Sequence, residues 1–416
     1  MPPPHLRRLF TVVLACTVAV TLALPAQADP ETGMVSRTSE GDPADAYSYE
    51  PSISEDGRFV AFTSEAVNLG GEAGRWNVFL RDRETGETTL VSRGPGGDPA
   101  DGNSYQASLS ADGRYVAFAS DATDLEGGGG NWHVYVYDRT SGEIRTVTGE
   151  ADGNSYSPSI SRTGRFVAFY TDATNLSRTR ANLNVYVHDR DTGRMRLVSK
   201  SSGGRPANGN SYEPAISASG RVVGFTSRAT NLTSIRATWN VFAHNRRTRK
   251  TALVSRNGRG RPANGSSYEP SLSETGRFAA FYSSADNLGG NPAYLNVFLR
   301  DRRHGRTRLA SRTSDGTPAD GDSYQPSISA TGRFVTFSSD ANNIGGDPAD
   351  WDVFVWDRRL GGTALVSQTS DGTPGDDISW RPAISGDGLF VAFESYAPNL
   401  GAEAGHSHLF VRGPLG

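Results

Sequence analysis

The sequence predicts an all-β protein that folds as a seven-bladed β-propeller made of four-stranded antiparallel blades. Three observations lead to this prediction. One unit recurs seven times, each copy contains short apolar runs separated by turn residues, and the two ends of the chain supply complementary parts of the same unit. Four-stranded units repeated in this way form blades around a central channel.

The recurring unit reads Ser-Tyr-x-Pro-Ser-Ile-Ser, then x-Asp/Thr-Gly-Arg-Phe-Val-Ala-Phe, then Asn-Val-Phe-x-x-Asp-Arg-x-Thr-Gly, then Leu-Val-Ser-Arg. Its copies begin near residues 48, 104, 155, 211, 267, 323 and 379, and successive copies lie 56, 51, 56, 56, 56 and 56 residues apart. The second position of every copy holds a marker aromatic: Tyr49, Tyr105, Tyr156, Tyr212, Tyr268, Tyr324 and Trp380.

The elements of the first copy illustrate the others. The run Phe-Val-Ala-Phe at residues 59–62 is apolar on both faces, which is typical of a strand packed between two neighbouring sheets. It follows Asp56-Gly57, where glycine allows the positive φ of a tight hairpin. Glycine makes up 48 of the 416 residues, a share that fits an all-β protein with many turns.

The chain ends indicate how the circle closes. The last copy starts at Ser379 and stops after its third strand, which we place at residues 408–412. Residues 31–37 read Glu-Thr-Gly-Met-Val-Ser-Arg, which resembles the fourth-strand segment of the other copies. We therefore expect residues 31–39 to complete the seventh blade and to leave no open edge. A linear solenoid would need capping repeats, and the sequence contains none.

Residues 1–28 have the pattern of an export signal. Arg7 and Arg8 precede an apolar run at 9–24, and a small-x-small pattern ends at Ala28. The run is shorter than the roughly 20 residues that span a bilayer. We expect cleavage after Ala28, a propeller over residues 29–416 without a transmembrane segment, and a secreted or periplasmic, envelope-associated location.

The alternative to that cleavage is a lipoprotein acylated at Cys16, which ends a lipobox-like Val-Leu-Ala-Cys. The apolar run continues past Cys16, which favours the later site. Cys16 is the only cysteine, so the expected mature chain has neither a disulfide nor a thiolate metal site.

The repeat resembles the WD-like repeat of TolB-type β-propellers. Residues 51–62 match its Pro-x-x-Ser-x-Asp-Gly-x-x-Ile/Val-x-Phe core, and Asn-Val-Phe at 77–79 matches the strand that follows. The resemblance covers residues 31–416 and implies the propeller fold. TolB carries an additional N-terminal α/β domain and binds envelope proteins, whereas other relatives are polysaccharide lyases and peptidase accessory domains, so the resemblance leaves the function open.

The histidines form no recognisable catalytic or metal-binding motif. His188 and His244 occupy equivalent slots, which we interpret as solvated strand ends, and His133 replaces a strand asparagine. His406 and His408 share one strand face, but no third ligand accompanies them. The sequence also lacks a nucleophile elbow and a phosphate loop. We therefore predict no catalytic residue, no metal and no cofactor.

The acidic loops between the blades admit two interpretations. They place an aspartate or asparagine before each first strand: Asp45, Asp101, Asp152, Asn208, Asn264, Asp320 and Asp376. Oxygen-rich loops can hold calcium. Asn and Asp side chains also cap turns of their own, and we prefer this second interpretation because the spacing is not that of an EF-hand.

Strand order predicts where a ligand binds. The short 1–2 and 3–4 turns lie on one face, which we call the short-turn face. The longer 2–3 and 4–1 connections lie on the opposite, long-loop face, where functional residues of rigid scaffolds concentrate. The marker aromatics start the innermost strands from the long-loop face. We interpret them as packing between blades, with a stacking platform for sugar rings or peptide side chains as the alternative.

Charge is distributed unevenly among the copies. Residues 155–210 contain nine Lys and Arg against three Asp and Glu, and residues 211–266 contain ten against one. Five arginines of this basic sector fall in long-loop connections and are predicted to form one patch for an anionic partner: Arg178, Arg180, Arg236, Arg259 and Arg261. Drift between duplicated blades is the alternative.

These observations predict an exported, monomeric, non-catalytic module that binds an envelope protein or an acidic polysaccharide, and not nucleic acid, through its long-loop face. The alternative is a secreted carbohydrate-active enzyme, such as a polysaccharide lyase, with its site at the channel mouth. A lyase should show a cluster of His, Tyr, Arg or Lys at one blade junction.

Overall fold

A computed structural model describes residues 30–176, 182–233, 238–347, 350–403 and 405–415. These residues form seven four-stranded antiparallel sheets, and two short 3₁₀ helices at Asp286–Leu288 and Pro398–Leu400. The seven-bladed propeller predicted from the repeat is confirmed. The predicted export signal lies outside the described residues.

Blades one to six each contain four consecutive strands, and blade seven combines the last three strands with the first strand of the chain. The strands are β1 Glu31–Met34; in blade one β2 Ser48–Ile53, β3 Phe59–Ser64, β4 Asn77–Asp82 and β5 Glu87–Leu90; in blade two β6 Ser104–Leu109, β7 Tyr115–Ser120, β8 His133–Asp138 and β9 Glu143–Thr146; in blade three β10 Ser155–Ile160, β11 Phe166–Thr171, β12 Asn184–Asp189 and β13 Arg194–Leu197; in blade four β14 Ser211–Ile216, β15 Val222–Ser227, β16 Asn240–Asn245 and β17 Lys250–Leu253; in blade five β18 Ser267–Leu272, β19 Phe278–Ser283, β20 Asn296–Asp301 and β21 Arg306–Leu309; in blade six β22 Ser323–Ile328, β23 Phe334–Ser339, β24 Asp352–Asp357 and β25 Thr363–Leu365; and in blade seven β26 Ser379–Ile384, β27 Val391–Ser395 and β28 His408–Gly413.

The N-terminal strand closes the ring. β1 pairs antiparallel with β28, with Glu31 opposite Gly413 and Met34 opposite Phe410. The pairing continues past the strand, because the backbone N–H of Val35 donates to the carbonyl of Leu409 at 2.7 Å. The predicted completion of blade seven by the N-terminal segment is confirmed, and it removes the edge that an unpaired β28 would present.

The core consists of the interfaces between neighbouring blades. At the junction of blades one and seven, Phe62 and Phe79 of blade one lie in one apolar cluster with Ala392, Leu409 and Val411 of blade seven. All six residues of β3 are buried, as expected for a strand with a sheet on either side.

Glycines in the 1–2 turns permit the close approach of the blades. Gly113 has a φ of +64°, and a Cβ atom there would lie 2.3 Å from the ring of Phe59 in the preceding blade. A side chain at Gly113 would therefore be strained and would displace that ring.

The arginines of the repeat hold the blades together. In blade two, Arg114 donates from Nε to Asp138 Oδ1 at 2.9 Å. The guanidinium of Arg139 lies 4.4 Å from the ring centroid of Phe59 in blade one and donates to the carbonyl of Gly113. These contacts explain why Gly-Arg and Asp-Arg recur in the unit.

A ring of backbone hydrogen bonds joins the blades at the short-turn end of the channel. In blades one to six, the residue two positions after the first strand donates its N–H to a carbonyl of the next blade; these donors are Glu55, Ala111, Arg162, Ala218, Glu274 and Ala330, and the last of them bonds Gly386. The N–H of Asp387 closes the ring on the carbonyl of Glu55. The Arg162 side chain forms ion pairs with Glu55 and with Glu274, the latter at 3.3 Å.

Candidate ligand-binding channel

The marker aromatics are partly exposed and pair with a second set of rings at the long-loop end. Tyr49 lies 4.9 Å from Trp76, measured between ring centroids. In blade three, which has Leu183 at the position of that tryptophan, the second ring comes from β11 instead, and Tyr170 lies 5.6 Å from Tyr156. Every blade therefore supplies two rings. We call the fourteen residues the aromatic belt: Tyr49, Trp76, Tyr105, Trp132, Tyr156, Tyr170, Tyr212, Trp239, Tyr268, Tyr282, Tyr324, Trp351, Trp380 and Tyr396.

Ring contacts within and between blades join ten belt residues into one arc, and the other four are linked through Tyr47. Trp132 lies 5.9 Å from Tyr156 in the next blade, and similar contacts continue from Tyr105 to Trp351. These distances are typical of aromatic packing. The predicted role in packing between blades is therefore present, and the partial exposure leaves the same rings available as a platform.

The residue after each marker aromatic has a left-handed backbone. These seven residues, which we call the bulge ring, have φ between 47° and 59°: Glu50, Gln106, Ser157, Glu213, Glu269, Gln325 and Arg381. Non-glycine residues rarely adopt this conformation, which costs about 1 kcal/mol or more each. The register of every first strand shifts at the same place, for example between Tyr49 and Ser52.

Side chains of the bulge ring reach backbone groups of the next blade. Gln106 Oε1 accepts from the N–H of Ser157 at 2.8 Å, and Glu213 Oε2 accepts from the N–H of Glu269 at 3.2 Å. Residues 51 or 56 positions apart in sequence are therefore neighbours around the axis. The bulge ring was not predicted from the sequence. Its position, directly after the marker aromatic, varies among the copies but always holds a polar residue.

Carboxyl groups dominate the channel at this level. Partial burial raises the pKa of Glu269 to about 8, with the neighbouring Glu213 adding to the effect. Burial also raises the pKa of Glu213, against the opposing hydrogen bonds from Thr226 and the Glu269 N–H. Glu394 on β27 is fully buried, and this burial raises its pKa to about 7 while Arg381 opposes the change.

The junction of blades seven and one has the most varied chemistry. Arg381 Nη1 lies 3.6 Å from Glu50 Oε1 and 3.8 Å from Glu394 Oε2. Burial raises the pKa of Tyr49, and Tyr396 and Glu394 act in the same direction. A Tyr, Arg and Glu cluster thus converges on one junction, and Tyr and Arg are two of the four residue types expected at the site of a lyase.

A histidine extends this cluster toward the long-loop face. The ring of His406 lies 4.9 Å from that of Tyr47, which in turn lies 6.5 Å from Tyr396. No group of three or more His, Cys, Asp or Glu residues is arranged to hold a metal ion within the described ranges.

The other histidines have structural surroundings. His244 is 2% exposed and bonds Thr251 Oγ1 at 2.9 Å, and burial lowers its pKa to about 4. The interpretation of His244 as a solvated strand end is therefore wrong, because the neighbouring blade covers the end of β16. His408 is buried at the ring closure, 3.2 Å from Ser36 Oγ, and His133 bonds the carbonyl of Thr148.

The acidic loops act as turn caps. Asp45 Oδ1 accepts from the N–H of Val67 at 2.8 Å, and Asp152 Oδ1 accepts from the N–H of Thr174 at 2.6 Å. These bonds fasten each 4–1 connection to the 2–3 connection of the same blade, so the side chains cap a turn of the neighbouring connection and not, as expected, a turn of their own.

Two of the five predicted patch arginines can be located. Arg259 and Arg261 are exposed, and their backbone N–H groups donate to Asn257 Oδ1 at 3.0 Å. Arg178, Arg180 and Arg236 lie outside the described residues, so the patch stays a prediction.

Comparison with known proteins finds solved structures of the same fold, all at low sequence identity to this chain. No protein-family model and no curated protein matches the chain. An oligogalacturonate lyase in complex with manganese is 14% identical over 94% of each chain, with a TM-score of 0.58. The propeller domain of the trilobed protease from Pyrococcus furiosus, which has an open velcro topology, is 10% identical over 89% of this chain and 94% of that one, with a TM-score of 0.58.

TolB proteins are also among the structural neighbours, as the repeat predicts. TolB from Acinetobacter baumannii is 14% identical over 67% of this chain, and the match spans 62% of the TolB chain with a TM-score of 0.42. No helix of the described segments is long and apolar enough to cross a membrane. The chain is thus similar in fold to the propellers of the lyase and of the trilobed protease.

Proposed function

We propose that the protein is an exported, non-catalytic binding module that holds a macromolecule of the cell envelope or exterior against its long-loop face. The aromatic belt carries this proposal. Tyr and Trp side chains combine a large apolar area with a hydrogen-bonding group and are enriched at binding hot spots. Here they are partly exposed and are fixed on strands of a closed ring, so little conformational entropy is lost on binding.

The charges of the channel narrow the choice of partner. Arg381, the one cation of the bulge ring, pairs with Glu50 and Glu394, so its charge is already offset by carboxyl groups. An acidic glycan therefore gains little attraction at the channel, and its binding would depend on the basic loops of blades three and four. A protein or a neutral glycan meets no such barrier at the mouth.

Direct binding measurements test the proposal. Polygalacturonate, a neutral β-glucan and soluble envelope proteins are titrated against residues 29–416 by calorimetry. We expect the triple change Trp132→Ala, Trp239→Ala and Trp351→Ala to weaken binding about tenfold or more. The control is Tyr294→Ala, which removes an exposed ring outside the belt. Equal losses in both variants, or no binding by the unaltered protein, would contradict the proposal.

The basic loops are tested separately. If polygalacturonate binds, the affinity should fall as salt rises through the physiological range, because exposed charges are screened beyond about 8 Å there. Changing the five patch arginines Arg178, Arg180, Arg236, Arg259 and Arg261 to Gln should then abolish binding. Arg145→Gln, Arg194→Gln, Arg303→Gln, Arg306→Gln and Arg359→Gln make a matched set of exposed arginines, and an equal effect would indicate diffuse charge.

A lyase is the second candidate, favoured by the cluster at the junction of blades seven and one. A lyase removes the proton next to the uronate carboxyl group while the glycosidic C–O bond breaks and the leaving sugar oxygen takes up a proton, which leaves a C=C bond that absorbs ultraviolet light. The partly exposed Glu50 beside Arg381 would act as the base, and the neutral Tyr49 hydroxyl would donate the proton to the leaving oxygen. Incubation with oligogalacturonate, with and without added manganese, distinguishes the candidates. A rise in absorbance that is lost in Arg381→Gln would establish the enzyme.

A further inference from the structure

A cavity of about 380 Å³ opens at the long-loop end beside the junction of blades seven and one. Three residues of the aromatic belt form part of its wall, and a hydroxyl, a carboxylate and a guanidinium complete it. The lining residues are Tyr49, Glu50, Thr63, Trp76, Tyr105 and Arg381. Its volume suits one or two sugar rings, and its wall combines flat apolar surfaces with both donors and acceptors.

The polar groups of the cavity wall are incompletely bonded. Among the described residues, no hydrogen bond reaches Thr63 Oγ1, although Thr63 is only 2% exposed. Arg381 faces two carboxylates at 3.6 and 3.8 Å, longer than the 2.7–2.9 Å of a charge-assisted hydrogen bond. Buried polar groups are usually paired, so the unbonded hydroxyl and the long ion pairs of Arg381 indicate a place where a ligand supplies the missing bonds.

The mixture of charges selects the ligand class. A carboxylate or sulfate would be attracted by Arg381 but repelled by Glu50 and Glu394, whereas an amine would meet the opposite conflict. A hydroxyl group satisfies both sides because it donates to a carboxylate and accepts from a guanidinium. The C–H face of a pyranose ring is apolar and fits against Tyr49 and Trp76, whose centroids are 4.9 Å apart.

We propose that this cavity binds a ring of a neutral polysaccharide, with Trp76 stacked on the sugar and with Glu50, Thr63 and Arg381 bonded to its hydroxyl groups. The proposal rests on the binding function above and names its ligand class. The other junctions differ: between blades four and five, for example, the equivalent bulge positions hold two carboxyl groups, Glu213 and Glu269, and Glu213 bonds the backbone N–H of Glu269 instead of a guanidinium.

The test uses residues 29–416 and defined hexasaccharides. The probes are β-1,4-glucan, β-1,3-glucan, α-1,4-glucan and α-1,6-mannan hexamers, with hexagalacturonate and a chitosan hexamer as charged comparisons. Calorimetry reports binding, and the change in intrinsic tryptophan fluorescence that is lost in Trp76→Ala reports the contribution of Trp76. We expect at least one neutral hexamer to bind at least tenfold more tightly than either charged one. Trp76→Ala should reduce that affinity about tenfold or more.

A second variant distinguishes a loss of binding from a loss of folding. Thr63→Val keeps the side-chain volume and removes a hydroxyl without a partner, so the melting temperature should stay unchanged while the affinity falls several-fold. Tyr294→Ala, on the same chain but outside the cavity wall, should bind like the unaltered protein.

The outcomes separate this inference from the function on which it rests. Binding of a neutral hexamer that Trp76→Ala and Thr63→Val both weaken supports the cavity. Preference for a charged hexamer, or binding to envelope proteins alone, overturns the sugar assignment but leaves the binding module intact. Binding of no probe and of no macromolecule overturns both.

Discussion

Replacing Glu394 by Gln should make the protein less sensitive to high pH. Glu394 is fully buried on β27, and burial raises its pKa from 4.5 to about 7. The folded state therefore holds the proton more tightly than the unfolded chain. Its contribution to stability is fully present below pH 4.5 and is lost as the pH rises through about 7.

The size of the effect follows from that difference. At about 1.4 kcal/mol for each pH unit, ionisation of Glu394 costs about 3 kcal/mol of the free energy of unfolding above pH 8. This is a large share of the 5–15 kcal/mol typical of folded domains, in round numbers. Gln keeps the shape, cannot ionise, and its amide oxygen can accept from the Trp380 side chain, which also bonds Glu394. Glu394→Gln should therefore match the unaltered protein at pH 4.5 and exceed it at pH 8.5 by up to about 3 kcal/mol.

Urea unfolding followed by tryptophan fluorescence at pH 4.5 and 8.5 measures the difference. Glu213 and Glu269 also have raised pKa values, but they are present in both proteins and cancel in the comparison. Glu87→Gln, at an exposed position, is the control and should follow the unaltered protein. A Glu394→Gln variant with the same pH dependence as the control, or one less stable at pH 8.5, would refute the argument.

Three further outcomes are expected. Deleting residues 29–37 removes β1 and the buried Val35, whose burial alone contributes about 2 kcal/mol. We expect a large fall in the melting temperature together with aggregation, and a fall of only a degree or two would contradict the closure of the ring by β1. Gly113→Ala should lower the free energy of unfolding, measured in urea, by about 3 kcal/mol, because it combines a positive φ with displacement of the Phe59 ring. Gly129→Ala is the control and should change the free energy of unfolding little, because there is open space around Gly129. Chelation by EDTA should leave the melting temperature unchanged, since a metal site at a hundred times its dissociation constant would contribute about 2.7 kcal/mol; a drop that calcium restores would overturn the turn interpretation of the acidic loops.

Much of the fold could be predicted because its signals are local. The turn Asp56-Gly57 and the doubly apolar run at 59–62 each determine the conformation of a few adjacent residues, and repetition removes ambiguity about where strands begin. The closure by residues 31–37 was also predictable, since that segment repeats a pattern found in six other places.

The channel chemistry could not be predicted in the same way. Glu50 and Arg381 are 331 positions apart in the chain, and their approach to 3.6 Å depends on ring closure. His244 has the same sequence context as a solvated strand end, yet it is buried, because the neighbouring blade covers it. Burial and charge pairing between blades are properties of the assembled ring and leave no signature within one copy.

By itself, then, the sequence determined the number of blades, the strands of each blade and the closing segment, because apolar patterning and turn residues act over a few positions. Only the tertiary structure decided which polar residues meet at the axis. A register shift and a left-handed φ after each marker aromatic bring one residue per blade to the axis at the same level. The physical reason is that the seven first strands converge on one axis. The position that varies among the copies is therefore repeated around that axis, and its seven different side chains form one continuous ring with unlike chemistry on its different sides.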